Sequence, residues 1–78
     1  PQQQANGAYR MVEMLEIIAK ELDTNGKYTS DISSIMSSYR LNNYSCSGAP
    51  QQVANGTYRT VELLEIIAKC FADNAGRI

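Results

Sequence analysis

The side chains best equipped for chemistry in this chain are two cysteines, Cys46 and Cys70, and two carboxylate pairs, Glu13 with Glu16 and Glu62 with Glu65. Carboxylates three positions apart share one side of a helix, and such a pair can divide general-acid and general-base roles in a sheltered site. Here both pairs have basic neighbours, and the chain has no His. Those residues support a solvated, salt-bridged face. No nucleophile lies beside a base, and no glycine loop has phosphate-cradling spacing. Two cysteines without histidine do not make the usual zinc or iron–sulfur ligand sets. The expectation is a protein that is not an enzyme and holds neither metal nor cofactor. The thiols read most simply as free. A Cys46–Cys70 disulfide needs an oxidising setting, and a covalent pigment on either cysteine is the most specialised use of them.

The glutamates recur because they belong to a larger repeat. Residues 1–20, PQQQANGAYRMVEMLEIIAK, return as residues 50–69, PQQVANGTYRTVELLEIIAK, at an offset of 49 with 16 of 20 positions identical. Gln4 becomes Val53, Ala8 becomes Thr57, Met11 becomes Thr60 and Met14 becomes Leu63. Internal repetition can redefine a whole fold and is weighed before any local pattern. One helical surface presented twice suggests self-association or a repeated partner rather than a catalytic pocket.

At 78 residues, the chain has room for one small domain spanning 1–78. A chain of this size buries only about 60% of its unfolded surface, so its core is marginal without disulfides, metal or a partner. With no Trp and one Phe, the core must come from Ile, Leu, Val, Met and some of the five Tyr. Seven basic and eight acidic residues give a net charge of −1, which lacks the electrostatic footprint of a duplex-DNA or anionic-membrane binder. No apolar run approaches the length of a membrane span and no basic-then-apolar leader is present, so no membrane insertion is expected. The chain opens at Pro1 rather than Met, as a processed product or a piece of a longer protein does. Two cysteines are too few for a secreted disulfide framework, which points to an intracellular, cytosol-like setting. Asn43-Tyr44-Ser45 and Asn55-Gly56-Thr57 fit the N-glycosylation pattern, which matters only on secretion.

Hydrophobic spacing places three helices. In the first copy, apolar residues fall at 11, 12, 14, 15, 17, 18, 19 and 22, with a narrow polar stripe at 10, 13, 16 and 20. This predicts an amphipathic helix over 8–22 with a wide apolar face. Asn6 is the expected N-cap, Gly26 the left-handed exit, and Glu16 with Lys20 an i,i+4 pair adding ~0.3 kcal/mol. A shorter helix is predicted over 30–40, capped by Thr29 or Ser30, with Asp31 at its positive end. Ile32, Ile35, Met36 and Tyr39 form its apolar face; Ser33, Ser34, Ser37 and Ser38 form the other. Residues 41–56, rich in Asn, Ser, Gly and Pro, read as a long exposed loop. The third helix copies the first over 57–74, with Gly76 as its stop unless it runs on past Ile78 in a longer chain.

The stripe Val12, Leu15, Ile18, Leu22 and its copy Val61, Leu64, Ile67, Phe71 form the candidate interaction face. Two helices this apolar, joined by one short serine-rich helix, leave more apolar surface than a lone chain covers, and soluble monomers seldom tolerate a large patch. The fold expected is therefore all-α and three-helical, completed by a protein partner or by homo-oligomerisation. Tyr9-Arg10 and Tyr58-Arg59 invite an aromatic–cation contact across a pseudo-twofold, or serve as ordinary rim residues.

Two stretches resemble the N-terminal helices of phycobiliproteins, the subunits of the phycobilisome antenna. One runs from Leu22 through Asp23, Gly26, Thr29, Ser30 and Asp31 to Ile35, and is similar to that family's opening turn and short helix. The other runs from Leu64 through Lys69, Cys70, Asn74 and Ala75 to Ile78, and is similar to its following long helix. The resemblance covers about half of the chain. It implies a light-harvesting assembly component acting through helix pairing, placed in a cytoplasm or a plastid stroma. It would also allow a covalent bilin on Cys46 or Cys70, although neither lies where the family's anchor would fall. A helix-turn-helix transcriptional regulator is the rival from another class, since the first two helices resemble the start of winged-helix domains. The acidic balance and the scarcity of Lys and Arg on any one face argue against nucleic acid. A generic helical homodimerisation module is the remaining alternative.

Overall fold

The computed structural model describes residues 2–75. They form α1 (Gln2–Leu22), α2 (Thr29–Tyr44) and α3 (Ala49–Ala75), the all-α, three-helix class that the spacing predicts. Gly76, the expected stop of the third helix, lies outside the described residues. Tyr28, just ahead of α2, bonds Asp73 near the end of α3, and Asn55 near the start of α3 bonds the Tyr39 carbonyl near the end of α2. The second helix therefore returns antiparallel, and α1 and α3 run parallel. Gly56 of α3 packs against Ala8 of α1, so the two sequence copies lie side by side almost in register. The assembly is elongated, 46 × 19 × 14 Å.

Both long helices start earlier than expected, for reasons in their first turns. Asn6 does not cap α1 but sits inside it, where its Oδ1 accepts from Gln2 Nε2 at 3.1 Å. Asn6-Gly7 and Asn55-Gly56 are each helical because the flanking turn docks: Ala5 is buried, and so is Gly56. Tertiary packing offsets the weak helix propensity of an Asn-Gly pair.

The predicted loop over 41–56 is corrected to a link of four residues, 45–48. Residues 41–44 complete α2 and residues 49–56 open α3. Pro50 falls in the first turn of α3, where its missing N–H has no helical partner to lose. Gly48 O accepts from Gln52 N at 3.1 Å, while Ser47 N donates to Gln51 Oε1 at 2.8 Å, in the manner of a capping box. Composition alone suggested a loop; a proline in the first turn and two glutamines made a helix start.

At the other corner, Gly26 adopts φ +72° as expected for the exit from α1. The cap of α2 differs from expectation, because neither Thr29 nor Ser30 supplies it. Instead Asp23 Oδ2 accepts from Tyr28 N at 2.9 Å and from Thr29 Oγ1 at 3.2 Å. One carboxylate thus closes the whole α1–α2 corner, and Asp31 sits in the first turn of α2 as its dipole favours.

The core is a single cluster. Val12 and Ala19 from α1, Ile32, Met36 and Tyr39 from α2, and Leu63, Ile66, Ile67 and Cys70 from α3 are all buried. The apolar face predicted for the short helix is the one it buries, with Ile35 partly covered and Ser33, Ser34 and Ser37 in solvent.

Candidate functional site: two outward apolar faces

The two copies do not bury the same residues. On α1 the inner positions recur every seventh residue, Ala5, Val12 and Ala19; on α3 they are Gly56, Leu63 and Cys70. Subtracting the offset of 49, these α3 positions correspond to 7, 14 and 21 of the first copy, all exposed. The first copy's inner positions correspond to 54, 61 and 68, also all exposed. Two residues along a helix amount to about 200°, so each copy turns roughly the opposite side to its neighbour.

A broad apolar surface remains uncovered as a result. Met11, Met14, Ile17 and Ile18 face outward from α1, and Tyr58, Val61, Leu64 and Phe71 from α3, each between 42% and 61% exposed. Beside Val61, a groove of about 380 Å³ runs along α3, lined by Thr57, Tyr58, Glu62 and Glu65.

The eight residues of the predicted interaction face are therefore divided. Val12 and Ile67 are core, and Leu15 and Leu22 pack partly against it, which corrects their assignment as partner-facing. Ile18, Val61, Leu64 and Phe71 are exposed as expected. Met11, Met14, Ile17 and Tyr58 are exposed as well, although they lie outside the predicted interaction face. The signal that could have found them is the seven-residue spacing of small residues in α1, Ala5 and Ala19 about Val12. Gly56 and Cys70 keep the same spacing about Leu63, two positions out of phase.

Of the four glutamates in the two pairs, Glu62 and Glu65 line the groove beside Val61, and Glu16 and Glu62 are held in ion pairs. Glu16 takes Lys20 at 2.9 Å and Arg40 of α2 at 3.4 Å, and Glu62 takes Arg59 at 2.6 Å. The arginine–tyrosine contact forms within α3, with the Arg59 guanidinium 4.8 Å from the Tyr58 ring centre, and not across a pseudo-twofold; Tyr9 instead meets Tyr39 at 6.1 Å. Among the described residues, no three His, Cys, Asp or Glu are grouped as a metal would need.

Both cysteines are free. Cys46 lies in the α2–α3 link, and Cys70 lies roughly six turns into α3, about 30 Å away along the helix. A disulfide between them is excluded by that distance. Cys70 is packed in the core, which leaves no room for a bilin on its sulfur and corrects its assignment as a reactive thiol. Asn55, half of one glycosylation pattern, spends its amide on Tyr39 O and Asn43 Oδ1.

Titration links the helix ends. The charge of Asp73 holds Lys27 above the usual lysine value, and the hydrogen bond to Asp73 at 2.8 Å does the same for the Tyr28 hydroxyl. Burial pushes the Tyr39 hydroxyl and the Cys70 thiol up. All four groups hold their proton more tightly folded than unfolded. Their contribution is complete below the unfolded values and is lost as pH rises through the raised ones. The melting temperature should therefore fall over the alkaline window that opens at about pH 9, where the unfolded thiol begins to lose its proton. A circular-dichroism melt that stays flat across that window would contradict the assignment.

No family model, curated protein or solved structure matches this chain. Among the described residues, no helix is long and apolar enough to cross a membrane.

Proposed function

We propose that this chain is a non-catalytic helical interaction module, in which a small core holds two apolar helix faces outward for protein contact. The observation carrying this reading is the pair of outward faces, Met14 with Ile17 and Val61 with Leu64, on helices whose other sides already fill the core. Soluble monomers keep contiguous apolar patches small, and larger ones mark binding surfaces. A DNA-binding regulator ranks below it: α2, where a recognition element would begin, carries Arg40 as its one basic residue and Asp31 as its one acid.

A narrower version places the module in a phycobilisome-type light-harvesting assembly, in a cytoplasm or a plastid stroma. That version rests on the resemblance of residues 22–35 and 64–78, and Cys46 is the thiol left for a bilin. Copurification with coloured antenna complexes tests it.

The general reading makes a direct prediction. Met14→Gln with Ile17→Gln, or Val61→Gln with Leu64→Gln, should leave the melting temperature of the dilute chain within a few degrees of the parent, since surface changes cost roughly 0.5 kcal/mol or less each. If these pairs instead unfold the dilute chain, the outward faces serve folding and the reading fails.

A further inference from the structure

The internal α1–α3 contact is built from two different faces of one repeated sequence, and each copy exposes the face that the other uses. Outward on α1 are Gly7, Met14, Ile17 and Ile18; their copies in α3, Gly56, Leu63, Ile66 and Ile67, are its core face. Outward on α3 are Ala54, Val61, Leu64 and Ala68; their copies in α1, Ala5, Val12, Leu15 and Ala19, are the buried or partly buried face of that helix. The helices run parallel and nearly in register, and their contact faces differ by about 200°. Helix α3 is therefore α1 displaced sideways and turned by only about 20°, with no twofold between them. A contact of this kind is heterologous, and it can be repeated.

We propose that the outward face of α3 in one molecule docks on the outward face of α1 in a second copy of this chain, head to tail. This reproduces between molecules the packing that already joins α1 to α3 within one. The inference rests on the interaction-module reading and names its partner.

Gly7 gives the match its steric detail. It lies inside α1 and a Cβ built on it would meet nothing within 4 Å, whereas a Cβ on its copy, Gly56, would come to 2.9 Å from Ala8 Cβ. An exposed glycine within a helix costs about 0.5–1 kcal/mol relative to alanine and serves no purpose in an isolated chain. In the junction it stands where Gly56 stands in the core, directly against the neighbouring helix. The opposing residue is then Thr57, whose Oγ1 is turned back onto Val53 O at 2.9 Å.

The junction is weaker than its internal model, for two structural reasons. Glu21 occupies the place of Cys70, and no counterpart of α2 lies over the new groove as α2 lies over the old one. Association is therefore reversible and dependent on concentration, and it continues past a dimer unless the chain closes into a ring.

The test uses the full chain and two single-face variants, Met14→Glu with Ile17→Glu and Val61→Glu with Leu64→Glu, in sedimentation velocity from micromolar to millimolar protein. Melts of the dilute variants confirm that each is folded. The parent should grow past dimer, and each variant alone should lose association about ten-fold or more, since two carboxylates are forced into an apolar contact. An equimolar mixture of the two should form a one-to-one complex and stop there, because each supplies the face that the other lacks. Two results overturn the proposal: a parent that stays monomeric at millimolar concentration, or a parent that stops at dimer while one variant still self-associates. Folded variants with a monomeric parent would remove the second copy as partner and leave the interaction-module reading standing.

Discussion

Leu63→Ala is expected to destabilise the chain by about 2–5 kcal/mol, while Met14→Ala at the matching position of the other copy changes stability by no more than about 0.5 kcal/mol. Leu63 is fully buried and Met14 is 56% exposed. Truncating Leu63 removes its transfer energy and leaves a cavity bounded by two other helices, which cannot all relax into it. A domain of this length has of the order of 4–12 kcal/mol to lose, so the variant should give up a large share of its stability and unfold at a much lower urea concentration. Met14→Ala takes away surface that water already touches and adds a good helix former. Urea denaturation of both variants at low protein concentration reads the difference. Equal losses at the two positions would mean that the copies bury the same side, and the two-residue phase difference would be wrong.

Gly56→Ala should cost about 1–2 kcal/mol net, and Gly7→Ala should gain up to about 1 kcal/mol. The new methyl at 56 would meet Ala8 Cβ at 2.9 Å, with the Ala8 carbonyl carbon and oxygen behind it at 3.5 Å. None of these is the end of a flexible side chain, so α1 and α3 must separate, and overpacking typically costs about 1–3 kcal/mol before the gain in helix propensity is subtracted. At Gly7 of the dilute, unassociated chain only the gain remains, since a Cβ there meets nothing within 4 Å. The sharper form of the experiment moves the methyl across the interface: Ala8→Gly in the Gly56→Ala background should recover most of the loss, and a double-mutant cycle would report the coupling. Additive effects would show that the two residues do not touch.

How much of this was legible in the sequence depends on which signal was used. The three helices, the burial of Ile32, Met36 and Tyr39, the left-handed Gly26 and the Glu16–Lys20 pair all follow from local spacing, and local spacing is what sequence records directly. The face turned inward by each copy does not follow from it. Ile17 and Ile18, or Leu63 and Leu64, are adjacent apolar residues on one wide arc, and a wide arc leaves the direction of burial undetermined. That choice is made by neighbours: Gly56 lets α1 approach closely on one side of α3, and α2 seals the same side with Ile32 and Met36. The misread loop over 41–56 has another cause. Asn55, Gly56 and Pro50 are turn formers when exposed, but here Asn55 bonds Tyr39 O and Asn43, Gly56 provides clearance, and Pro50 lies in an opening turn.

The displacement that relates the two copies also bears on how such a chain can lengthen. A block of 49 residues carries one long helix and one returning helix, close to the period of helical-pair solenoids. Each further block spliced in tandem would find a seat already shaped for it, and interior long helices would be covered on both flanks. Only the two terminal helices would stay wet, so growth by duplication would demand no new surface and solubility would be set at the ends.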